Sequence, residues 1–263
     1  MNEIALAQLL PLPAYCRWVN VTRALRGIGY RLRPFGEGDI HVVTDPGGAE
    51  VHLCRRARHR RYKRGIAGGA ASLAGRYGLR GLPFSPGGVL VDCGANVGEL
   101  GIWAKAQGLD YIAYEPEQLE ARTCDLNNFD GRPETRRRAL WRDDTTLTFY
   151  RKPNTADSSV IEIDATHGTV EIEAVRLASD LSLPETGTHI FKLEAEGAEP
   201  EVLEGAAPIL EQFSYVAVDA GRERGRAQET TIVEVIDRLT SLNFQLLGLN
   251  ADHLTVTFRN RTC

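Results

Sequence analysis

The sequence predicts an α/β fold, in which a mostly parallel, doubly wound sheet carries a small α+β unit at its N-terminus. Three observations predict it. From Val89 onward, apolar runs of strand length alternate with segments of helical periodicity. A glycine turn follows the first of these strands, and a carboxylate, Glu115, ends the second. The loop before the last strand is too short for a helical crossover, so the final two strands should pair antiparallel.

The N-terminal unit comprises residues 1–65. Apolar periodicity and turn residues predict one helix, three strands and a turn, at 15–27, 29–34, 40–45, 49–55 and 45–48. A further helix at 66–77 should lead into the main sheet. We interpret residues 1–65 as an appendage and a candidate lid over the substrate, and residues 66–263 as the main domain.

The main domain should contain seven sheet strands, at 89–93, 111–115, 138–141, 189–193, 215–219, 244–248 and 254–259. Four helices should lie between them, at 97–107, 118–128, 199–211 and 229–242. The insertion at 146–177 alternates with period two, which predicts a small antiparallel annex with strands at 147–151, 160–164 and 170–175.

Composition limits the classes of protein. The 263 residues are 43% apolar, which is enough for one large core with an appendage. A net charge of −4 gives no reason to expect nucleic-acid binding. The five cysteines are scattered, with no C-x-x-C pair, which favours a reducing cytoplasm over a disulfide framework or a zinc site. We expect no signal peptide and no membrane span.

The glycine turn indicates the kind of cofactor. A dinucleotide-binding turn has the pattern G-x-G-x-x-G, because a pyrophosphate lies on the helix N-terminus. Here Asn96 stands at the second glycine position, between Gly94 and Gly98. Asp92 would repel a phosphate but could pair with a cationic amino acid. The pattern therefore favours S-adenosylmethionine over NAD, with Glu115 accepting the ribose hydroxyls.

A second constellation follows the fourth sheet strand. Lys192 and Glu194 should lie on one side of that strand, where they can pair, and Glu194 and Glu196 could share a proton or a divalent ion. Carboxylates that leave a buried strand are costly without a partner, so we favour a functional role for these two. The acidic residues that follow favour a helix start: Glu199, Glu201 and Glu204.

The end of the N-terminal unit is the most basic part of the chain, with Arg55, Arg56, Arg58, His59, Arg60, Arg61, Lys63 and Arg64. Such a run is commonly a solvated face; the alternative is a docking patch for an acidic or phosphorylated acceptor. In the docking interpretation, Arg or Tyr side chains from residues 55–77 should line the substrate cavity.

Five strings resemble the FkbM-type methyltransferase family: VDCGANVG (91–98), YEP (114–116), LNN (126–128), RALW (138–141) and FKLEAEGAEPEVLEG (191–205). The resemblance spans roughly residues 85–250. It implies a class I methyltransferase (Rossmann-like) fold with a seven-stranded sheet that uses S-adenosylmethionine, commonly for O-methylation of a hydroxyl on a sugar or natural product. The N-terminal unit carries little of it, so the acceptor is not implied.

The resemblance also implies site residues. The methionine end of the methyl donor would lie against Asp92, Gly94, Ala95, Asn96 and Gly98, the ribose against Glu115 and Pro116, and the adenine against Ala139 and Leu140. One departure stands out, because the family usually has Asp where this chain has Glu194. The longer side chain moves the carboxylate by about one methylene.

Methyl transfer to a hydroxyl needs a base or a cation, because the hydroxyl has a high pKa. The candidates are Glu194 and Glu196 as base or metal ligands, and Lys192 as an orienting or polarising group. His167 and His189 are weaker alternatives. Asp219 could complete an oxygen site for a divalent metal, although the spacing does not demand one, or it could pair with Arg222.

Two other functions stay open on the sequence. One is a methyltransferase that acts on nitrogen or carbon. The other is a nicotinamide-dependent oxidoreductase or a nucleotide-binding module. In each case we expect a small-molecule or glycan partner, while the oligomeric state is undetermined.

Overall fold

The structure, a computed structural model, describes residues 9–152, 158–162 and 168–262. In the N-terminal unit, a helix precedes a three-stranded antiparallel sheet, and the elements are α1 (Leu12–Ala24), β1 (Arg31–Pro34), β2 (His41–Thr44) and β3 (Glu50–Leu53). A 3-10 helix (Arg56–Tyr62) and α2 (Ile66–Arg76) follow. The helices and strands predicted for residues 15–77 are thus present, with ends shifted by a turn of helix at most.

The rest of the chain alternates strands and helices: β4 (Val89–Cys93), α3 (Glu99–Ala106), β5 (Asp110–Tyr114), α4 (Gln118–Asn128), β6 (Ala139–Leu140), β7 (Thr145–Tyr150), β8 (Thr169–Val175), α5 (Leu177–Asp180), β9 (Ile190–Leu193), α6 (Glu199–Ala206), a 3-10 helix (Ala207–Gln212), β10 (Tyr215–Asp219), β11 (Arg222–Arg224), β12 (Glu229–Thr230), α7 (Ile232–Ser241), β13 (Phe244–Asn250) and β14 (Thr255–Asn260). The short hairpin of β11 and β12 was not predicted from the sequence.

Six of these strands form the main sheet, in the order β13, β14, β10, β9, β4, β5. The four strands from β10 to β5 are parallel, and β14 pairs antiparallel with both β10 and β13. All residues of β4, β9 and β10 are buried, as expected of parallel strands covered on both faces. Because β5 and β9 flank β4 on opposite sides, the topological switch point lies at the carboxyl ends of β4 and β9.

The predicted third strand, 138–141, is not part of the main sheet. Its core, β6, pairs instead with β8 in a separate three-stranded sheet. Next to β5, where the third strand was expected, there is a single parallel bridge between Tyr114 and Arg136. Charge explains the displacement: Arg136 and Arg138 both bind Asp180 of α5, at 2.8 and 2.9 Å. A basic segment cannot enter a sheet that is buried on both faces without losing such partners.

The insertion forms the annex as an antiparallel pair of β7 and β8, with β6 alongside. The strand predicted at 160–164 lies partly outside the described residues. Ser159, just before it, forms an isolated antiparallel bridge with Tyr150. Within the described ranges, no helix combines the length and apolarity that a membrane crossing requires.

The N-terminal unit shares a hydrophobic core with the main domain. Val97, from the glycine turn, belongs to the same buried cluster as Tyr15 and Leu53, and Leu126 of α4 packs against that cluster. The side chain of Asn127 also donates a hydrogen bond to the carbonyl of His52. The boundary at residue 65 stays a prediction, but the unit is seated on the glycine turn rather than tethered away from it.

His59 lies at the centre of the N-terminal unit. It is fully buried between two tyrosines, with Nε2 3.0 Å from the Tyr15 hydroxyl and Nδ1 2.7 Å from the Tyr30 hydroxyl. Since Tyr15 donates its proton to the carbonyl of Arg56, its oxygen accepts from Nε2, and Nδ1 accepts from Tyr30. Burial, reinforced by nearby positive charges, lowers the pKa of His59 to about 3. The imidazole is therefore neutral in the folded protein.

We expect His59 to make stability fall on acidification. The unfolded chain binds a proton near the ordinary histidine pKa of about 6.5, while the folded chain does not until about pH 3, so the native state loses up to about 1.4 kcal/mol per pH unit within this window. Urea denaturation of the wild type and of His59→Gln between pH 7.5 and 5 measures this. The variant should show the shallower slope; equal slopes would contradict the prediction.

Candidate active site

A cavity of about 270 Å³ opens at the switch point. Its walls come from the ends of β4, β5 and β9, from the basic 3-10 helix and α2, and from the annex. Most of the residues predicted from the sequence line it: Asp92, Gly94, Ala95, Asn96, Glu115, Pro116, Ala139, Leu140, Lys192, Glu194 and Glu196. Gly98 does not. The structure thus brings the two sequence constellations, the glycine turn and the group from Lys192 to Glu196, to one place.

The glycine turn explains why each residue type stands where it does. Gly94 has a φ of +69°, and a Cβ there would overlap the carbonyl oxygen of Glu194. Asn96 also lies in the left-handed region, which asparagine tolerates, with a φ of +51°. Gly98 precedes α3, where a Cβ would clash with Cys124 and Asn128. It shapes the turn by packing and faces away from the cavity.

Glu115 joins the two loops that border the cavity. Its Oε2 accepts the N–H of Asn96 at 2.8 Å and its Oε1 accepts the N–H of Glu117 at 2.9 Å. Burial outweighs these hydrogen bonds and raises the pKa of Glu115 to about 7. A carboxylate fixed in this way still has lone pairs for two ribose hydroxyls. Pro116, Ala139, Leu140 and Phe149 provide the apolar wall beside it.

Lys192 is the buried hub of the crevice. Its Nζ donates to the carbonyls of Cys93 and Gly94, at 3.0 and 2.9 Å, and pairs with Asp92 at 2.9 Å and with Glu194 at 3.1 Å. Burial opposes the charged form, but the neighbouring carboxylates hold the pKa of Lys192 above its usual value. Three N–H groups facing four acceptors leave none for a substrate. This geometry favours a structural role over the polarising role suggested by the sequence.

Both carboxyl oxygens of Asp92 also have partners within the protein. One of its oxygens pairs with Lys192 and the other accepts the Tyr111 hydroxyl at 2.7 Å. The side chain is fully buried, and burial raises its pKa despite the lysine. Its predicted contact with the methionine ammonium is untested. In this arrangement a ligand would meet a carboxylate that is already neutralised.

Glu194 is held by several partners. Tyr77 donates its hydroxyl to Oε2 at 2.6 Å, and Arg76 lies 3.6 Å from Oε1. Burial would raise its pKa, but Lys192 and Arg76 lower the pKa of Glu194 to about 2. So weak a base is poorly matched to proton transfer near neutral pH. Arg76 and Tyr77, at the end of α2, had no sequence signal beyond their place within residues 55–77.

Asp219 pairs with Arg76, not with Arg222 as the sequence suggested. The guanidinium therefore lies between Asp219 and Glu194, two of the three carboxylates that were considered as metal ligands. Among the described residues, no group of three or more His, Cys, Asp or Glu side chains is placed to hold a metal ion. Cations of the protein itself balance these carboxylates instead.

Glu196 lies in the loop between β9 and α6. It has a φ of +51°, and its carbonyl oxygen accepts the Ser159 hydroxyl at 2.8 Å. Its side chain forms a hydrogen bond with Glu223 of β11, which also lines the cavity. Glu223 could not be singled out from the sequence, because β11 is too short to be recognised by periodicity.

The basic run is neither a solvated face nor an open docking patch. Arg58 and Arg61 both bind Glu99 at the start of α3, the latter at 3.1 Å, and Arg55 binds Glu120 at 2.5 Å. These arginines line the cavity, as the docking interpretation requires, but each is already paired with a carboxylate. Their common role is to hold the N-terminal unit against the glycine turn.

The histidine alternatives do not reach the site. His189 is buried at the far end of β9, where its Nδ1 accepts the N–H of Val89 at 3.2 Å and its Nε2 lies 2.9 Å from the carbonyl oxygen of Pro184. His167 lies outside the described residues.

The cavity carries more carboxylates than cations among its described lining residues. Eight carboxyl side chains line it, namely Asp92, Glu99, Glu115, Glu117, Glu120, Glu194, Glu196 and Glu223. Six cationic side chains line it, namely Arg55, Arg58, Arg61, Arg76, Arg138 and Lys192. Since the pKa of Glu115 is raised to about 7 and that of Glu223 to about 8, the negative and positive charges of this lining nearly balance near neutral pH.

The chain matches the family model described as "Methyltransferase FkbM domain" over residues 92–246. That range contains the glycine turn, Glu115 and the acidic loop after β9. No curated protein matches the chain. Among solved structures, the chain is similar to magnesium protoporphyrin IX methyltransferase (ChlM) from Synechocystis PCC 6803 with bound SAH, at 13% sequence identity and a TM-score of 0.37, over 98% of this chain and 100% of that chain.

Proposed function

The chain belongs to the FkbM methyltransferase family, and from this membership we propose that it transfers a methyl group from S-adenosylmethionine to a hydroxyl of a small molecule or glycan. Family membership carries the choice of donor and replaces the nicotinamide alternative. Glu115 supports this choice, because its carboxyl group is held at the cavity wall by the N–H groups of Asn96 and Glu117, where ribose hydroxyls can bind to it.

The residues present fit the donor. Gly94 lines the cavity and lets the turn pack closely against the carbonyl of Glu194, and Glu115 presents a fixed carboxyl group for the ribose hydroxyls. Ala139 and Leu140 offer an apolar wall for the adenine. When bound, the donor supplies an activated methyl group, so the protein contributes mainly proximity, orientation and a path for the acceptor's proton.

The acceptor would enter from the side of the N-terminal unit. Arg55, Arg58 and Arg61 line this side, and α2 contributes Leu73, Arg76 and Tyr77. We propose that the N-terminal unit covers a small-molecule or glycan acceptor, so that residues 1–65 act as a lid over it. The guanidinium groups are paired, so a hydroxyl-rich neutral acceptor suits this wall better than an anionic one. A cytoplasmic location also stays our proposal, supported by the scattered cysteines.

Two measurements test the function. Calorimetry should show binding of S-adenosylhomocysteine and none of NAD; the reverse result would overturn the proposal. S-adenosylmethionine with a ¹³C-labelled methyl group is then supplied with a panel of methyl glycosides, polyols, phenols and amines. The ¹³C shift of the transferred methyl carbon in the product separates O-methylation from N- or C-methylation, and a label found only on nitrogen or carbon would replace the hydroxyl acceptor.

We expect Glu115 to control the affinity for the donor. Glu115→Gln loses charge-assisted hydrogen bonds to the ribose, so S-adenosylhomocysteine should bind about 10- to 100-fold more weakly. Because the pKa of Glu115 is raised to about 7, wild-type affinity should fall by up to about tenfold per pH unit below that value, and the variant should lose this dependence. Glu134→Gln, at an exposed position, serves as the control. An unchanged affinity in Glu115→Gln would remove Glu115 from the ribose site.

A further inference from the structure

Glu223 is one of the carboxyl residues of the cavity wall that were not singled out from the sequence. Its short strand, β11, is fixed to the acidic loop by the next residue, because Arg224 donates to the Gly197 carbonyl at 2.5 Å and to Glu201 at 2.6 Å. A Cβ at Gly197 would lie 2.5 Å from the Arg224 Cα, so the two segments are in close contact. The carboxyl group of Glu223 is thus held in a defined position at the cavity wall.

The two oxygens of Glu223 have different surroundings. A Cβ placed on Gly221 would lie 3.2 Å from Oε1 of Glu223 and 3.3 Å from Oδ1 of Asp219, so these carboxyl groups converge at Gly221. The carboxyl group is also hydrogen-bonded to Glu196. Oε2 is buried and makes no hydrogen bond with any residue in the described ranges. A buried carboxyl oxygen of this kind, in a cavity wall, suits a hydrogen-bond donor of a bound ligand.

We propose that Glu223, paired with Glu196, is the proton acceptor for the hydroxyl that is methylated, an inference that rests on the proposed function. The acceptor oxygen forms its bond to the transferred methyl carbon, and the bond between that carbon and the donor sulfur breaks, with the electron pair left on sulfur. The O–H proton passes to the carboxylate of Glu223. Charge and atoms balance without a further reactant.

The electrostatic surroundings suit this role. Burial and the charges of Asp219, Glu194 and Glu199 raise the pKa of Glu223 to about 8, and only the hydrogen bond with Glu196 opposes them. The nearby cations, Arg76 and Lys192, contact other carboxylates: Arg76 binds Asp219 and Glu194, and Lys192 binds Asp92 and Glu194. Glu223 is therefore a much stronger base than Glu194, and its basicity lies near the working pH.

This assignment narrows the class of acceptor. A carboxylate or phosphate acceptor is already ionised, needs no base and would be repelled by Glu223, Glu196 and Asp219. A neutral alcohol needs its proton removed during attack. The pair of carboxyl groups therefore points to an alcohol-type hydroxyl, as on a sugar ring or polyol, and to methyl ether products.

The test compares Glu223→Gln with the wild type in three measurements: the circular dichroism spectrum, the affinity for S-adenosylhomocysteine, and kcat/KM from pH 6 to 9.5 with the hydroxyl probe of the panel that the wild type methylates fastest. We expect an unchanged spectrum and affinity, with kcat/KM about 10²- to 10⁴-fold lower. Wild-type kcat/KM should rise up to about tenfold per pH unit and level off near pH 8, whereas the variant's should stay flat. Glu223→Asp should keep the rise at reduced activity.

Glu229→Gln is the matched control. Glu229 lies opposite Arg224 in the backbone pairing of the same hairpin, its side chain is exposed, and it is outside the cavity lining. It should keep both activity and pH profile. Normal turnover with an unchanged profile in Glu223→Gln would overturn the inference, as would loss of S-adenosylhomocysteine binding, which would indicate a structural role. A wild type that binds S-adenosylhomocysteine and methylates a probe leaves the proposed function standing in either case. A wild type that does neither overturns both.

Discussion

Replacing Lys192 by methionine should destabilise the protein by about 3–5 kcal/mol and abolish methyl transfer. The side chain is 3% exposed and neutralises Asp92 and Glu194 at once, so its removal leaves Asp92 without its cation and Glu194 with Arg76, 3.6 Å away, in place of two cations. The two carbonyls at the end of β4 also lose their donor. Guanidinium chloride denaturation at pH 7.5 measures the loss.

Two further variants separate charge from packing in this prediction. Lys63→Met, at an exposed position, should change the stability by no more than about 0.5 kcal/mol. Adding Asp92→Asn to Lys192→Met should recover part of the stability, because the uncompensated charge is then removed. A loss below about 1 kcal/mol in Lys192→Met would show that the lysine is not the hub of the crevice. The loss should also shrink towards pH 5, where the carboxylates can bind protons.

Replacing Glu99 by glutamine should cost about 3–5 kcal/mol and loosen the N-terminal unit. Glu99 is 4% exposed and receives Arg58, Arg61 and the Tyr62 hydroxyl, the last at 2.5 Å. Burial opposes its charge, but the two arginines hold the pKa of Glu99 below its usual value. Without this carboxylate, the charge of Arg58 is left in a mostly buried position. Because Glu99 follows the glycine turn directly, binding of S-adenosylhomocysteine should weaken as well.

A matched control exists for this interface. Arg122 of α4 and Glu37 also join the two parts of the chain, at 3.0 Å, but both side chains are considerably exposed. Glu37→Gln should therefore leave the stability almost unchanged. Limited proteolysis within residues 9–65, followed over time, reports the loosening directly. If Glu99→Gln and Glu37→Gln behave alike, the basic run does not hold the unit in place.

The sequence predicted the parts of the fold that depend on local pattern. The glycine turn, the buried strand β4 and the paired final strands follow from residue order within short windows, because turn geometry and apolar periodicity are local properties. The prediction of a third sheet strand at 138–141 was wrong because it, too, rested on local pattern alone. Its apolar core reads as a sheet strand, and only the contacts of Arg136 and Arg138 with Asp180, more than forty residues away, draw it to the annex.

By itself, then, the sequence determined the doubly wound sheet, the glycine turn at the cavity, and Glu115 and Glu196 as residues of one crevice. The tertiary structure decided which charges meet. Arg76 reaches Asp219 across 143 residues, and Tyr77 reaches Glu194 across 117. Whether a carboxylate is a base or half of an ion pair depends on these partners, which pattern does not encode. They leave Glu194 weakly basic, whereas burial, followed by the charges of neighbouring carboxylates, raises the pKa of Glu223 to about 8.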